Sequence, residues 1–413
     1  MKNNSWLIWL SLSFVFLILI VIITFATEKW VILSLGVGFL FGFAIQKGDL
    51  CGASAMSEVI LMKDGRKLFG IWVAILSSMV FFAIFQLLGV IELAPKKLIW
   101  LSAIIGGFIF GIGTVLGGGC ISGCMYKGAT GNINSIVALL TIPIGISIVD
   151  YGPLQSLNKY LLTFVINDYD GKAITLHSIL GMPYWVIVLA LLLITVFILI
   201  FRQKKKEKNK LKNTERFEIR RIFTRSWKPW QAGIVIGVIA ILAWLSSLMV
   251  GRNYPLGVTH GVNYTYQLLI DNNIKLIFEK PQPVIPTGIA EKQKTSITQD
   301  ANVKPELQPE PKKLNLWLIL LSLGFMIGAF VSGKMSNQVK LLPKEPSQIL
   351  IAALGGLLIG IGAAIATGCI IGNILSGWAM LSIGMFIFGI ITLLSNWATT
   401  YFYLIGSSGK IKS

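Results

Sequence analysis

The long, strongly apolar runs of this chain decide what it can fold into. Residues 6–25 (WLIWLSLSFVFLILIVIITF) and 184–201 (YWVIVLALLLITVFILIF) carry no charge and few polar groups. Runs of about 20 apolar residues match the hydrocarbon thickness of a bilayer. A helix satisfies all its backbone polar groups internally, which lipid demands. Only 13% of the 413 residues are charged, where a soluble chain carries about a quarter. The expectation is an all-α integral membrane protein with about ten spans, near 6–26, 31–46, 69–93, 98–116, 133–150, 183–201, 230–250, 314–333, 348–366 and 381–404. The first run has Lys2 before it and no small-residue cleavage site ahead of Glu28-Lys29-Trp30, so it reads as a retained span rather than a signal peptide.

The net charge of +18 invites a nucleic-acid reading, but its placement argues against one. Residues 202–228 hold twelve Lys or Arg against three Glu. Positive residues beside spans stay cytoplasmic, where they meet anionic lipid headgroups. With that loop inside, KDGRK (63–67), Lys334, Lys340, Lys344 and the tail GKIKS fall inside, while Asp168 and Asp170 fall outside. Both termini are then cytoplasmic in a cell inner (plasma) membrane. Residues 281–313, rich in Pro, Lys, Glu and Gln, read as a polar external loop.

An internal repeat organises the rest. GGFIFGIGTVLGGGCISGCMYKG (106–128) and GGLLIGIGAAIATGCIIGNILSG (355–377) match at ten of 23 positions without a gap, including Gly119/Gly368, Cys120/Cys369 and Gly123/Gly372. A fainter copy, GVGFLFGFAIQKGDLCGASAMSE (36–58), places Gly42 nine residues before Cys51, as Gly111 precedes Cys120 and Gly360 precedes Cys369. The fourth expected copy (233–261) keeps Gly233 and Gly237, breaks at Pro255 and Gly257, and has no cysteine. The span count makes the halves inverted relative to each other, an arrangement secondary transporters use around a midplane site. The expected domains are an additional span (1–30), a first repeat (31–150), an external loop, linking span and basic loop (151–229), a second repeat (230–404) and a tail (405–413).

Each unit reads as a span that stops within the membrane, a glycine-rich break, and a short re-entrant helix. Non-helical backbone at that depth needs surrounding protein or a water-filled cavity. A helix starting there points N–H groups and a positive dipole end at it, which suits an anion. The candidate binding residues are Cys51, Cys120 and Cys369 with Gly119, Gly123, Gly368 and Gly372, and Lys127 is a candidate for attracting the anion or pairing with Glu58. Cys124 faces Asn373 in the other copy and so reads as filler. Gly38/Gly42 and Gly107/Gly111 fit close helix packing. A Cys120–Cys124 disulfide is disfavoured by helix geometry. His177 and His260 lack metal-ligand spacing to any cysteine. No Walker or GxSxG motif is present. The reading is therefore a transporter without cofactor rather than an enzyme. A membrane thiol-redox or sulfur-transfer enzyme is the alternative from another class, and a passive anion channel is a third.

GDLCGASAMSE, GIGTVLGGGCISG and GIGAAIATGCIIG resemble the motifs of the YeeE/YedE family of membrane sulfur transporters, over roughly 31–150 and 230–404. The resemblance implies uptake of a small sulfur-containing anion, thiosulfate foremost. Cys51, Cys120 and Cys369 would make S–H···S bonds to its terminal sulfur without being consumed. It also implies a TusA-like cytoplasmic sulfur-carrier protein as companion. Some YedE-type members are assigned to selenium metabolism, so a selenium species is the alternative substrate.

Overall fold

The computed structural model describes residues 5–168, 171–206, 219–270, 274–277, 312–341 and 345–405. Asp170, most of the basic loop, the external loop up to residue 311, Lys344 and the tail beyond 405 lie outside the described residues. Among the described residues, ten helical stretches are long and apolar enough to cross a membrane, and the chain is a multi-pass membrane protein.

The first half comprises α1 (Ser5–Thr27), α2 (Leu33–Gly48), α3 (Gly52–Leu61), α4 (Arg66–Leu87), α5 (Trp100–Leu116), α6 (Ile121–Ala129) and α7 (Ile133–Asp150). Then come two short helices, α8 (Gln155–Leu161) and α9 (Leu176–Leu180), the linking helix α10 (Tyr184–Lys206) and α11 (Ile219–Thr224). The second half comprises α12 (Pro229–Leu248), α13 (Thr259–Ile270), α14 (Leu316–Met335), α15 (Pro346–Ile365), α16 (Ile370–Ala379) and α17 (Ile383–Thr399). The helix breaks fall where the repeat predicts them. One difference is that α16 winds in wide, π-type turns over Ile370–Ser376. Such turns are rare in helices and concentrate at functional sites.

Glycines set the packing. A side chain at Gly38 or Gly42 on α2 would strike the Leu321 or Phe325 backbone of α14, and one at Gly107 or Gly111 on α5 would meet Phe388 or Ser395 of α17. Lipid tails supply no hydrophobic drive between helices, so such close backbone approach carries the association. The major pairings are α2 with α14, α4 with α12, α7 with α15 and α5 with α17. Exchanging the two halves turns the first pair into the second and the third into the fourth. The equivalent helices α5 and α15 also touch directly, running antiparallel: Gly106 lies against Ala366, and Gly113 against Ile359. Helices α1 and α10 sit at the periphery with mostly exposed apolar side chains, as lipid-facing helices do.

Candidate thiol path and anion vestibule

Three of the four breaks share one backbone course. The residue two before the cysteine is left-handed: Asp49 (φ 47°), Gly118 (φ 70°) and Thr367 (φ 55°). Cys51, Cys120 and Cys369 then run extended as the N-caps of α3, α6 and α16. Their carbonyls accept the amides of Ala55, Cys124 and Asn373, each at 2.8 Å. Only Gly118 adopts this turn without a Cβ penalty, which is about 1–2 kcal/mol for other residues. GGGC and ATGC therefore make the same turn despite their different letters. None of the three thiols makes a capping hydrogen bond, although the N-cap is where Ser, Asp or Asn stabilise a helix best. In the fourth unit the Val258 carbonyl accepts the Val262 amide at 3.1 Å. A fully buried valine thus stands where the other units place sulfur.

Two of the sequence-predicted thiols meet. Cys51 Sγ lies 3.9 Å from Cys120 Sγ, which is 3.3 Å from Ser122 Oγ. That separation fits an S–H···S contact, and all four cysteines are free and fully buried. Gly123 closes the pair: a methyl there would collide with Cys51 Sγ and sit 3.7 Å from Cys120 Sγ. Cys369 is not in direct contact with this pair but lies close enough to interact electrostatically with both Cys120 and Lys96. The Cys51 and Cys369 units touch at Gly52, where a Cβ would stand 2.6 Å from Ile370.

Cys124 has a different task. Its Sγ donates to the carbonyls of Gly117 and Gly119, both at 3.8 Å. Asn373 Nδ2 donates to the equivalent pair, Ala366 and Gly368, both at 3.0 Å. Both side chains brace the break loop. The mismatch in that column of the repeat hides a shared role rather than filler.

Gly368 and Gly372 line a 440 Å³ cavity together with Lys96, Lys97, Arg252, Tyr254 and His260. A Cβ at Gly372 would meet only the Leu256 carbonyl, at 4.0 Å, so this wall is open. Arg252 donates to the Tyr254 and Pro255 carbonyls at 2.8 and 3.2 Å, with its guanidinium 4.7 Å above the Trp317 ring. Tyr254 Oη donates to the Gly372 carbonyl at 2.6 Å. Burial brings Lys96 down to about 8 and Arg252 to about 10. Among the described residues its lining carries Lys96, Lys97 and Arg252 and no carboxylate, so the cavity is positively charged. Sequence reasoning missed Lys96, Arg252 and Tyr254. The only signals were a KK pair in a short loop and RNYP in the unit that lacks a thiol.

At the opposite end of α4, Lys127 Nζ donates to Ser54 Oγ at 2.8 Å and to the Gly118 carbonyl at 2.7 Å. Glu58 is held by Lys67 at 2.6 Å rather than by Lys127. Lys67 also reaches Asp49 at 2.5 Å, and Tyr126 Oη donates to Asp49 at 2.6 Å. Among the described residues no three His, Cys, Asp or Glu side chains gather as a metal site would require.

The model of the sulphur transport family (Sulf_transp) matches residues 47–398. The thiosulfate transporter TsuA of Escherichia coli strain K12 is 28% identical over 381 residues, covering 91% of this chain and 95% of the relative. TsuA of Spirochaeta thermophila is 29% identical over 375 residues, covering 88% and 96%. The probable transporter YedE of E. coli K12 matches over 87 residues at 31% identity, 21% of this chain. The match spans all four helix breaks and excludes α1: this chain belongs to the sulphur transport family, of the YeeE/YedE type.

Proposed function

We propose that the protein carries thiosulfate into the cytoplasm through the thiol-lined breaks. The observation that carries this is a cationic cavity whose lining, among the described residues, holds no carboxylate and includes Thr367 and Gly368 of the Cys369 break, in a molecule where the other two cap thiols, Cys51 and Cys120, meet. The names of the two full-length relatives point the same way. Thiosulfate is a dianion with sulfonate oxygens at one end and a soft sulfur at the other. Lys96 and Arg252 supply charge-assisted donors for the oxygens. Cys369, Cys120 and Cys51 supply S–H contacts for the terminal sulfur in turn, and each thiol ends the passage unchanged. Sulfate enters the same chamber but has no sulfur terminus to engage the thiols. All three thiols are fully buried, so this conformation is closed to solvent and transport requires it to open.

In this reading the halves form an inverted repeat whose short helices re-enter the membrane. The chamber opens outside the inner (plasma) membrane, and Lys127 and both termini face the cytoplasm. Glycines 119, 123, 368 and 372 shape the path, and no thiol is consumed, so the protein acts as a transporter and not an enzyme. On the cytoplasmic side, delivery to a TusA-like sulfur-carrier protein follows from the family resemblance. Uptake of labelled thiosulfate into proteoliposomes, with sulfate and selenite as competitors, tests the reading. Saturable uptake resistant to excess sulfate is expected. Its absence, or equal competition by sulfate, contradicts it.

A further inference from the structure

Lys96 and Lys127 come from unrelated positions, one in the loop between α4 and α5, the other within α6. Lys127 aligns with Ser376, so the repeat does not relate the two lysines. Their ammonium groups nevertheless hold equivalent atoms. Lys96 Nζ donates to the Thr367 carbonyl at 2.6 Å, and Lys127 Nζ to the Gly118 carbonyl at 2.7 Å. Thr367 and Gly118 are the left-handed residues two before Cys369 and Cys120. Each lysine has one further polar partner, Asn373 Oδ1 at 2.8 Å for Lys96 and Ser54 Oγ at 2.8 Å for Lys127. Neither has a carboxylate: the ion pairs among the described residues belong to Arg66 and Lys67. Each also lies within electrostatic reach of a terminal thiol of the series, Lys96 near Cys369 and Lys127 near Cys51.

A half-buried ammonium bound only to neutral oxygens has its desolvation incompletely offset, and an anion offers a stronger, charge-assisted partner. We propose that Lys96 and Lys127 are paired charge gates at the two ends of the thiol series, each latching a break loop through its carbonyl when the path is empty. As the anion arrives, the ammonium transfers its bond from that carbonyl to a sulfonate oxygen, which frees the loop beside the adjacent thiol. Lys96 thereby sets capture on one side, and Lys127 sets release on the other. This rests on thiosulfate transport as the function.

The test is uptake kinetics in proteoliposomes of fixed orientation, with external pH varied. Losing a charge-assisted bond costs roughly ten- to a hundredfold in affinity. Lys96→Met is expected to raise the external KM by about that factor with kcat little changed. In the wild type, external KM should rise as pH climbs through about 8, where Lys96 loses its proton. Lys96→Arg should keep KM within about threefold and remove that rise, since a guanidinium stays charged. Lys127→Met should leave external KM unchanged, lower kcat, and raise KM for efflux measured from the other face. An unchanged external KM in Lys96→Met, or a Lys127→Met effect confined to external KM, overturns the proposal. If Lys96→Met does not fold, Lys96→Gln takes its place, and an unchanged external KM in that variant overturns the proposal. Absence of wild-type thiosulfate uptake sinks the function itself, whereas uptake indifferent to both lysines sinks only the gates.

Discussion

Cys124 and Asn373 perform one task in the two halves, each donating to the carbonyls five and seven residues before it and so closing a helix-break loop. The amide does so with shorter, stronger bonds and also accepts from Lys96. Cys124→Asn is therefore expected to fold, transport and melt no lower than the wild type. Asn373→Ala leaves two buried carbonyls unpaired and should lower stability by about 1–3 kcal/mol. Thermal melting in detergent checks both, and a destabilised Cys124→Asn contradicts the shared role.

Glycines at the thiols differ in what they tolerate. Gly123→Ala drives a methyl into Cys51 Sγ, an overpacking that costs about 1–3 kcal/mol and displaces the sulfur pair. Gly372→Ala faces open space and should melt like the wild type. Uptake is expected to fall sharply in the first and modestly in the second, where the added methyl only narrows the chamber. Equal effects would mean that Gly123 does not hold the Cys51–Cys120 contact.

Arg252 holds the chamber wall through two carbonyls and the Trp317 face. Arg252→Lys keeps the charge but loses the planar stacking and the fork of donors. It should retain part of the external affinity, whereas Arg252→Ala should lose about tenfold or more and melt lower. A KM unchanged in both variants removes Arg252 from anion capture.

Membrane orientation is open to direct labelling because all four native cysteines are fully buried and stay silent. Lys97→Cys and Lys63→Cys place thiols in the loops at opposite ends of α4. An impermeant maleimide added to intact cells should label the first, and should reach the second only after lysis. The reverse pattern inverts the topology and the assignment of capture and release.

The spans, the breaks and the three cap cysteines were legible in the sequence because lipid imposes long apolar runs and the repeat keeps glycine and cysteine in register. What escaped lay outside those two signals. Lys96 reaches Thr367 across 271 residues, a contact without local pattern. Arg252 and Tyr254 sit in the one unit without a thiol, where Val258 replaces it and the repeat fades. Cys124 and Asn373 looked unrelated because a thiol and an amide share no letter, although each donates to the same two positions. Thr367 stands where the first copy has Gly118, and its φ of 55° keeps the same turn without a glycine to announce it.

Labelled thiosulfate uptake by purified protein in proteoliposomes, wild type against Cys120→Ala, tests the central claim most directly. The cysteine series predicts saturable uptake by the wild type and its loss in Cys120→Ala, with Cys124→Asn transporting normally beside it. Undiminished uptake in Cys120→Ala, from protein that is folded and inserted, would contradict passage along the thiols.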